Sequence, residues 1–216
     1  MRRLLDAAFN VRRLLLIARI RIHAALQRAT VDVQIAPGLR MEGRITLRIH
    51  PHTTTTIRIG KGTRLGDNLR LVLDGGNLVV GERVYIRTGV VLHVRGDLTL
   101  GDQSLISYYS VLHCDEEITI GYRSALGEHL TIIDSIHVTP PEGEWWVNHI
   151  ETRPVRLGED IWGGSKITIG RGVTIDDRCV IAANSVVTSD VPRGSFAGGA
   201  PARVIGPASL WPGEQA

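Results

Sequence analysis

Aliphatic residues recur at every sixth position between residues 155 and 204. An α-helix repeats about every 3.6 residues and a plain strand about every 2, so neither element gives this interval. Three short strands joined by tight corners do give it, when they form one triangular turn of a solenoid. Two series, interrupted only at Gly163, run two residues apart: Leu157, Ile169, Ile175, Ile181 and Val187; and Ile161, Ile167, Val173, Cys179 and Ser185.

A longer period precedes this segment. From Ile57 onward, aliphatic-X-aliphatic triplets recur in units of about twenty residues. Each triplet is followed directly by a glycine, at Gly60, Gly81, Gly101 and Gly121. The aliphatic residues still step by six within each unit, and turn-forming residues such as Asp74-Gly75-Gly76 separate the units. Each unit is therefore predicted to contain three short strands and one enlarged corner.

The rhythm breaks in two places. Residues 135–154 have no hexad but contain three prolines and a tryptophan pair, which predicts a loop inserted at a corner, where function often lies. Residues 193–216 are rich in glycine and proline and are expected to fold over the last turn as a cap. The predicted β-solenoid thus spans residues 31–192.

Residues 1–30 precede the β pattern and predict a basic amphipathic helix. Its arginines outnumber its acids, since Asp6 is the lone carboxylate. Two roles are open: packing on the solenoid or a sister subunit with solvated arginines, and contact with an anionic membrane surface. The predicted apolar stripe consists of Leu4, Ala8, Val11, Leu15, Ala18, Ile22 and Ala25, and Leu5, Phe9, Leu16 and Ile20 lie outside it.

Composition fits a narrow aliphatic prism with glycine at its corners: the 216 residues are 43% hydrophobic and 5% aromatic and include 24 glycines. The formal net charge of +3 is too small to indicate nucleic-acid binding. Cys114 and Cys179 are not in a CxxC spacing, so we expect reduced thiols. The apolar run Leu14–Ala18 is too short for a membrane span or signal segment, and a soluble cytoplasmic protein is expected.

Four motifs in order resemble the hexapeptide-repeat acyltransferases: DSIH at 134–137, IWGGS at 161–165, VIAANSVVTSDVP at 180–192 and GGAPARVI at 198–205. The nearest resemblance is to the galactoside, maltose and xenobiotic O-acetyltransferase group and its polysaccharide O-acetyltransferase relatives. It implies an all-β fold, a left-handed parallel β-helix, assembled as a homotrimer. It also implies that acetyl-CoA, or another acyl-CoA, binds in the groove between neighbouring subunits, with no metal.

In the family a histidine at the position of His137 is the general base. A neutral imidazole suits this task near neutral pH, and backbone N–H groups are the expected oxyanion donors. Direct transfer in a ternary complex, without a covalent enzyme intermediate, follows from the resemblance. Two roles are open for Asp134: holding the imidazole tautomer, or bonding the backbone at a corner. Glu128 is a weaker candidate for the first.

The resemblance assigns the coenzyme A contacts to Trp162, Gly164, Ser165, Ala182, Ala183, Thr188 and Arg203. Three departures stand out. Gly163 replaces an aliphatic residue, which predicts a locally widened coil, and Ser189 stands where many relatives have lysine. The GNPA-like turn lacks its asparagine, and Arg193 is a substitute cation for the nucleotide phosphates.

The acceptor site is assigned to Tyr109 and Asp115, beside Tyr108, and to Trp145 and Trp146. The asparagine of the sugar acetyltransferases is absent, so galactoside specificity is not carried over. For the tryptophans, stacking on a sugar and packing on a partner are both open.

His93 and His113 occupy equivalent positions of successive coils, as in metal-dependent relatives of this fold, but the third histidine of a metal site is missing. Nothing near Cys114 indicates a reactive thiol, and Cys179 is expected in the core.

The sequence as a whole predicts an acyl-CoA-dependent O-acyltransferase that transfers acetyl to a hydroxyl of a sugar or glycoconjugate. N-acylation of an amino sugar and a non-catalytic trimeric scaffold are the alternatives.

Overall fold

The computed structural model describes residues 2–142, 145 and 149–210, and the side chains within 10–142, 145 and 149–209. These residues form a parallel β-solenoid of about 7 turns, preceded by one helix, α1 (Arg2–Leu26). The predicted fold class, a left-handed parallel β-helix of hexapeptide repeats, is confirmed.

Each coil of the solenoid contributes three strands. The strands are β1 (Thr30–Ile35), β2 (Arg40–Met41) and β3 (Ile45–Ile49) in coil 1; β4 (Thr54–Ile59), β5 (Arg64–Leu65) and β6 (Leu69–Leu73) in coil 2; β7 (Asn77–Val80), β8 (Tyr85–Ile86) and β9 (Val91–Val94) in coil 3; β10 (Asp97–Leu100), β11 (Leu105–Ile106) and β12 (Val111–Cys114) in coil 4; and β13 (Glu117–Ile120), β14 (Ala125–Leu126) and β15 (Thr131–Ile133) in coil 5.

An insertion separates coils 5 and 6. Its two strands are β16 (Ser135–His137) and β17 (Ile150–Thr152), which pair antiparallel. The remaining strands are β18 (Val155–Leu157), β19 (Trp162–Gly163) and β20 (Thr168–Ile169) in coil 6; β21 (Thr174–Ile175), β22 (Val180–Ile181) and β23 (Val186–Val187) in coil 7; and β24 (Ser195–Gly199) and β25 (Ala202–Pro207) in the tail.

Equivalent strands of successive coils pair in parallel and build three sheets, which we call face 1, face 2 and face 3 after the first, second and third strand of a coil. The register confirms the two predicted repeat lengths. Leu98 pairs with Ile118, twenty residues on, whereas Leu157 pairs with Ile175, eighteen residues on. We call the corners edge 1/2, edge 2/3 and edge 3/1 after the faces that they join.

The core is a column of inward side chains, nearly all Ile, Leu and Val, in which each coil covers the next. Gly163 occupies an inward position on face 2. The expected widening leaves no empty space beside this glycine, because neighbouring side chains fill it. A Cβ at this position would lie 2.9 Å from a methyl of Leu126 and 3.2 Å from one of Ile167. Cys114 and Cys179 are both buried free thiols in this core, as expected for Cys179.

Helix α1 packs on β1, β2 and β3 and closes the first coil. Its buried side chains are Leu16, Ile20 and Ala24. The predicted apolar stripe is therefore not the packing face, since Leu15 and Ile22 of that stripe are exposed. The helix has two apolar sides, and a periodicity argument alone cannot tell which of them meets the solenoid.

Three arginines of α1 bond the backbone of the first coil. Arg12, Arg13 and Arg19 donate to the carbonyls of Met41, Ile35 and Ile45 at 3.1, 2.9 and 2.8 Å. The next coil shows why these carbonyls need donors: Ile59 and Leu65, the partners of Ile35 and Met41, accept N–H groups from coil 1. In coil 1 no earlier coil supplies such donors, and guanidinium groups replace them. These arginines are thus bound to backbone, contrary to the expectation of solvated side chains.

The tail extends one face of the prism before it turns back. Strand β24 pairs parallel with β22, so that Phe196 and Ala197 stand beside Val180 and Ile181, and β25 then pairs antiparallel with β24. The tail therefore adds strands to face 2 in addition to covering the last coil. Within the described part of the chain, no helix combines the length and the apolar character needed to cross a membrane.

The orientation of α1 is tested by a pair of substitutions. Ile20→Ala removes a fully buried side chain and is expected to lower the free energy of unfolding by about 2–5 kcal/mol. Ile22→Ala changes an exposed side chain, with an expected effect within about 0.5 kcal/mol. Urea unfolding of both variants measures the difference. The reverse order of effects would contradict the packing described above.

Candidate functional site

The chain leaves the solenoid at the end of face 3 in coil 5 and returns at face 1 in coil 6. The β16–β17 hairpin carries it outward, with His137 opposite Ile150 at the outer end of the ladder. The departure does not interrupt face 1, because β13 pairs directly with β18 across the insertion. The inserted loop is thus an outgrowth of edge 3/1 of an otherwise continuous stack.

Asp134 lies where the insertion begins and points into the prism. It follows Ile133 in the position that Cys114 and Val94 occupy in the two preceding coils, and it is completely buried. Its carboxylate accepts the backbone N–H groups of Asp115, Glu116 and Glu117, all at 2.8 Å. One coil earlier in the chain, the N–H of Arg95 donates to the carbonyl of Cys114 instead.

Of the two roles left open for Asp134, these contacts favour the structural one. The contacts that the structure shows are those of a corner residue that bonds the backbone. Because the chain turns away into the loop, the carboxylate supplies the acceptors that the next coil supplies elsewhere. Asp134 thereby fixes the turn that carries Asp115.

A cavity of about 680 Å³ opens along edge 3/1 between coil 3 and coil 7. His137 lies at its outer rim, on an exposed strand end. One wall is apolar and consists of Ile133, Ile136 and Ile150, and Thr188 of coil 7 borders the opposite end. The other residues that line it are His93, Arg95, His113, Asp115, Ser135, Gly170 and Arg171.

A chain of polar side chains forms the inner wall of this cavity. Nδ1 of His93 lies 2.9 Å from Nε2 of His113, which in turn lies 3.4 Å from Oδ2 of Asp115. Arg95 approaches the other oxygen of Asp115 at 3.7 Å and pairs with Asp74 at 3.0 Å. The two histidines stack in register on face 3, as the twenty-residue spacing predicts.

Asp115 is the most buried member of this chain of polar side chains. Its carboxylate is only 6% exposed and lies between His113 and Arg95. Burial, and then the neighbouring His113, lower the pKa of His93. His93 is therefore biased towards the neutral form, in which one imidazole donates and the other accepts the bond between the two rings.

The predicted coenzyme A residues fall on two edges of the prism. Thr188 borders the cavity that also contains His137. Gly164, Ser165, Ala182 and Ala183 lie together at edge 2/3 of coils 6 and 7, where a Cβ on Gly164 would meet the backbone of Ala183 at 2.7 Å.

The remaining predicted cofactor residues lie on or beside face 2. Trp162 is on its outer surface. Arg203 is in β25 and donates to the carbonyl of Ala202. Arg193, the substitute phosphate ligand, instead pairs with Asp177 at 2.8 Å. None of these residues lines the cavity at His137.

The predicted acceptor residues are also divided. Asp115 lies in the cavity, but Tyr109 is at edge 2/3, where its ring stacks on His129 with centroids 5.6 Å apart. Tyr108 lies beside it and accepts a hydrogen bond from Arg87. Trp145 is 70% exposed, and Trp146 lies outside the described residues. Among the members of the acceptor set that the structure describes, Asp115 alone lines the His137 cavity.

Sequence reasoning did not assign His93, Arg95, His113 and Arg171 to the site. The signal was available in part, because the twenty-residue period places His93 above His113 and Arg95 above Asp115. Arg171 follows a hexad glycine and carried no comparable signal. Among the described residues, no group of three or more His, Cys, Asp and Glu side chains has a geometry for a metal ion. Burial raises the pKa of the Cys114 thiol, which argues against a nucleophile.

Asp134 is predicted to be essential for the corner that it bonds. Asp134→Ala leaves three backbone donors without their acceptor and is expected to lower the free energy of unfolding by about 3 kcal/mol or more. Asp134→Asn keeps the shape and one acceptor oxygen and should fall between this variant and the parent. Urea unfolding measures both, with exposed Asp176→Asn as the control. Unchanged stability in Asp134→Ala would contradict this role.

The histidine pair predicts a pH dependence. Because folding lowers the pKa of His93, the unfolded chain binds more protons below its ordinary value of 6.5, so stability falls as the pH drops through that range. NMR titration should show the His93 imidazole protonating at a lower pH than a free histidine, and His93→Gln should flatten the acid side of the stability profile. A His93 whose pKa lies at or above 6.5 would contradict the burial of its imidazole beside His113.

Comparisons with known proteins point to one group. No protein-family profile matches the chain. A segment of 52 residues is 48% identical to the galactoside O-acetyltransferase of Escherichia coli, and another of 90 residues is 34% identical to a putative acetyltransferase of Saccharomyces cerevisiae. These matches cover 24% and 37% of this chain, and only 26% and 46% of the relatives.

Solved structures agree with the fold. A hexapeptide-repeat acetyltransferase of Vibrio cholerae, complexed with acetyl coenzyme A, superposes with a TM-score of 0.52 and 25% identity over 70% of each chain. The polysialic acid O-acetyltransferase OatWY superposes with a TM-score of 0.61 over 83% of this chain and 85% of its own, and at 19% identity this likeness concerns the fold. The resemblance to hexapeptide-repeat acetyltransferases is therefore confirmed.

Proposed function

We propose that this protein is an acetyl-CoA-dependent O-acetyltransferase that acts on a hydroxyl group of a sugar or glycoconjugate. The observation that carries the proposal is the position of His137. It lies at the rim of a cavity with apolar side chains on one wall and the polar chain of His93, His113 and Asp115 on the other. The comparisons with acetyltransferases support the reaction class.

In this proposal His137 is the general base. Acetyl-CoA supplies an activated thioester, so the acceptor hydroxyl needs only to lose its proton as it attacks. His137 accepts that proton while the acceptor oxygen bonds to the acyl carbon. It then returns the proton to the sulfur as the carbon–sulfur bond breaks. No group of the chain becomes acylated, and the two substrates are present together.

The cavity suits an acyl thioester. Ile133, Ile136 and Ile150 exclude water from the reacting carbon, and the Thr188 hydroxyl offers a hydrogen bond at the far end. Arg171 also lines the cavity, and its buried Nη1 atom has no hydrogen-bond partner in the structure. This guanidinium group is a donor suited to an anionic or carbonyl oxygen of a substrate.

The polar wall is the proposed acceptor side. His113 and Asp115 together present a donor and an acceptor, as vicinal sugar hydroxyls require. Asp134 has a positioning role here, because it holds the turn on which Asp115 stands. Trp145, with its exposed ring on the inserted loop, is the proposed stacking partner for a sugar face.

A homotrimer is part of the proposal, because it accounts for the division of the cofactor residues between two edges. Thr188 and His137 lie at edge 3/1, whereas Gly164, Ser165, Ala182 and Ala183 lie at edge 2/3, and both edges border face 3. Parallel packing of three prisms would place edge 2/3 of one subunit beside edge 3/1 of the next. The coenzyme A groove, with Trp162 and Arg203 on its flank, would then lie between subunits, and Tyr109 would approach the acceptor of a neighbour.

We also propose a cytoplasmic location. Cys114 and Cys179 are free thiols, as in proteins of reducing compartments, and acetyl-CoA is a cytoplasmic metabolite.

The decisive test is His137→Ala. With acetyl-CoA and a panel of sugars and lipid-linked saccharides, thiol release that depends on the acceptor should fall by at least about 100-fold. His52→Asn, at an exposed corner between coils 1 and 2 and away from the cavity, is the matched control and should retain the parent rate. Sedimentation should show a trimer for the parent and both variants. Mass spectrometry and NMR of the product distinguish an ester from an amide.

Full transfer by His137→Ala would show that another group is the base. Absence of transfer by the parent to any acceptor, with coenzyme A binding retained, would indicate a non-catalytic scaffold. Formation of an amide product would replace the O-acetyltransferase proposal by N-acylation.

A further inference from the structure

Helix α1 presents a second apolar face that nothing in the chain covers among the described side chains. It consists of Val11, Leu14, Leu15, Ile22 and Leu26, which are 55–76% exposed. We call this set the outer stripe. Side chains of this size rarely stay in water as a contiguous group on a soluble protein, so a binding partner is expected.

The charge of the chain is strongly uneven. Residues 1–70 contain 14 lysines and arginines but only 4 acidic residues, a formal net charge of +10. The remaining residues contain 11 basic and 18 acidic residues, a net charge of −7. Helix α1 and the first two coils are thus a basic end on a molecule whose other end is acidic. The modest total of +3 conceals this division.

The outer stripe and the basic groups meet in the same furrow. Leu15 lines a groove of about 410 Å³ together with Arg12, Arg19 and Arg44, and with the carboxylate of Glu42, which the three arginines outnumber. A second groove of about 410 Å³ continues along the helix, lined by Leu15, Ala18, Ile22 and Leu26 and by the polar side chains of Arg19 and His23. Arg21 is exposed on the same helix, Arg28 in the turn that follows it, and Arg48 on the adjoining strand. Apolar side chains are therefore bordered by guanidinium groups, a pattern typical of helices that lie at a lipid interface.

The helix is also held rigidly. Leu16, Ile20 and Ala24 are buried against coil 1, and Arg12, Arg13 and Arg19 bond its carbonyls. Packing through the inner side fixes the outer stripe as the surface that faces away from the solenoid. Binding there does not require the helix to leave the protein.

We propose that this basic end docks on an anionic lipid surface, with the outer stripe inserted among the acyl chains and the arginines at the phosphate level. Charge complementarity selects this occupant. A second copy would bring an identical basic end against the first and repel it. A nucleic acid offers phosphates, but no hydrocarbon to cover the leucines.

Docking in this way would leave the acetyltransferase site accessible. The furrows belong to α1 and coil 1, whereas the His137 cavity extends from coil 3 to coil 7. At about 4.8 Å per coil, coil 5, from which the insertion with His137 leaves the stack, stands about 20 Å from coil 1. The inference does not depend on the proposed function, since lipid binding is measured without any substrate.

The test is cosedimentation of the full chain with vesicles. One set contains only phosphatidylcholine, and the other mixes it with anionic phosphatidylglycerol in about a 2:1 ratio. Binding to the mixed vesicles is expected, with little to the neutral ones, and it should weaken at about 0.5 M salt. The triple variant Leu15→Gln/Ile22→Gln/Leu26→Gln should bind at least about tenfold more weakly, since it removes the inserted apolar area.

A matched control is available at the other end of the molecule. Val204 and Ile205 are exposed to a similar degree on β25, and Val204→Gln/Ile205→Gln should leave vesicle binding unchanged. Circular dichroism of all variants verifies the fold. Equal binding to both vesicle types, or none to the anionic ones, would overturn the proposal. So would a triple variant that dissociates the oligomer while retaining vesicle binding, because the outer stripe would then be a contact between copies.

Discussion

The structure depends on backbone hydrogen bonds between coils. Each coil is too thin to bury its own side chains, so it is stable only when the coil above and the coil below complete both its core and its hydrogen bonds. Wherever a neighbouring coil is missing, unpaired backbone groups are left, and burying such groups without a partner is costly. Two departures from a uniform repeat, at α1 and at Asp134, are responses to this constraint.

At the first coil the missing partners are donors, and at the insertion they are acceptors. Arginines of α1 supply N–H groups to the carbonyls of Ile35, Met41 and Ile45. The Asp134 carboxylate accepts the three N–H groups of the coil 4 turn, where the chain has turned away into the loop. Cationic side chains thus satisfy the backbone at the first coil, and an anionic side chain satisfies it where the insertion interrupts the stack. Residues that resemble surface cations or catalytic carboxylates in the sequence thus have backbone partners.

This distinction marks how far the sequence could predict the molecule. Hexads and twenty-residue units are repeated many times, so the three faces, the enlarged corner and the alignment of His93 with His113 were predictable from spacing. The orientation of α1 was not, because Leu15 and Leu16 belong to two apolar stripes of similar quality and only the shape of coil 1 selects between them. The inward position of Asp134 was equally hidden, since it depends on where the chain leaves the coil. The cavity at His137 combines both kinds of information, because His137 and Thr188 were identified by motif, whereas Arg171 joins them only through the stacking of coils.

The direct pairing of β13 with β18 has a consequence for diversification of this architecture. Because coils 5 and 6 pair directly across the insertion, the twenty residues between Asp134 and Val155 contribute little to the stability of the stacked coils. The part between His137 and Ile150 could be exchanged for a longer, shorter or differently folded segment, provided that the carboxylate at its root and the cavity residues of the hairpin are kept. In the proposed reaction, selectivity for the molecule that receives the acyl group would then be free to change, while the residues that line the cavity stay as they are.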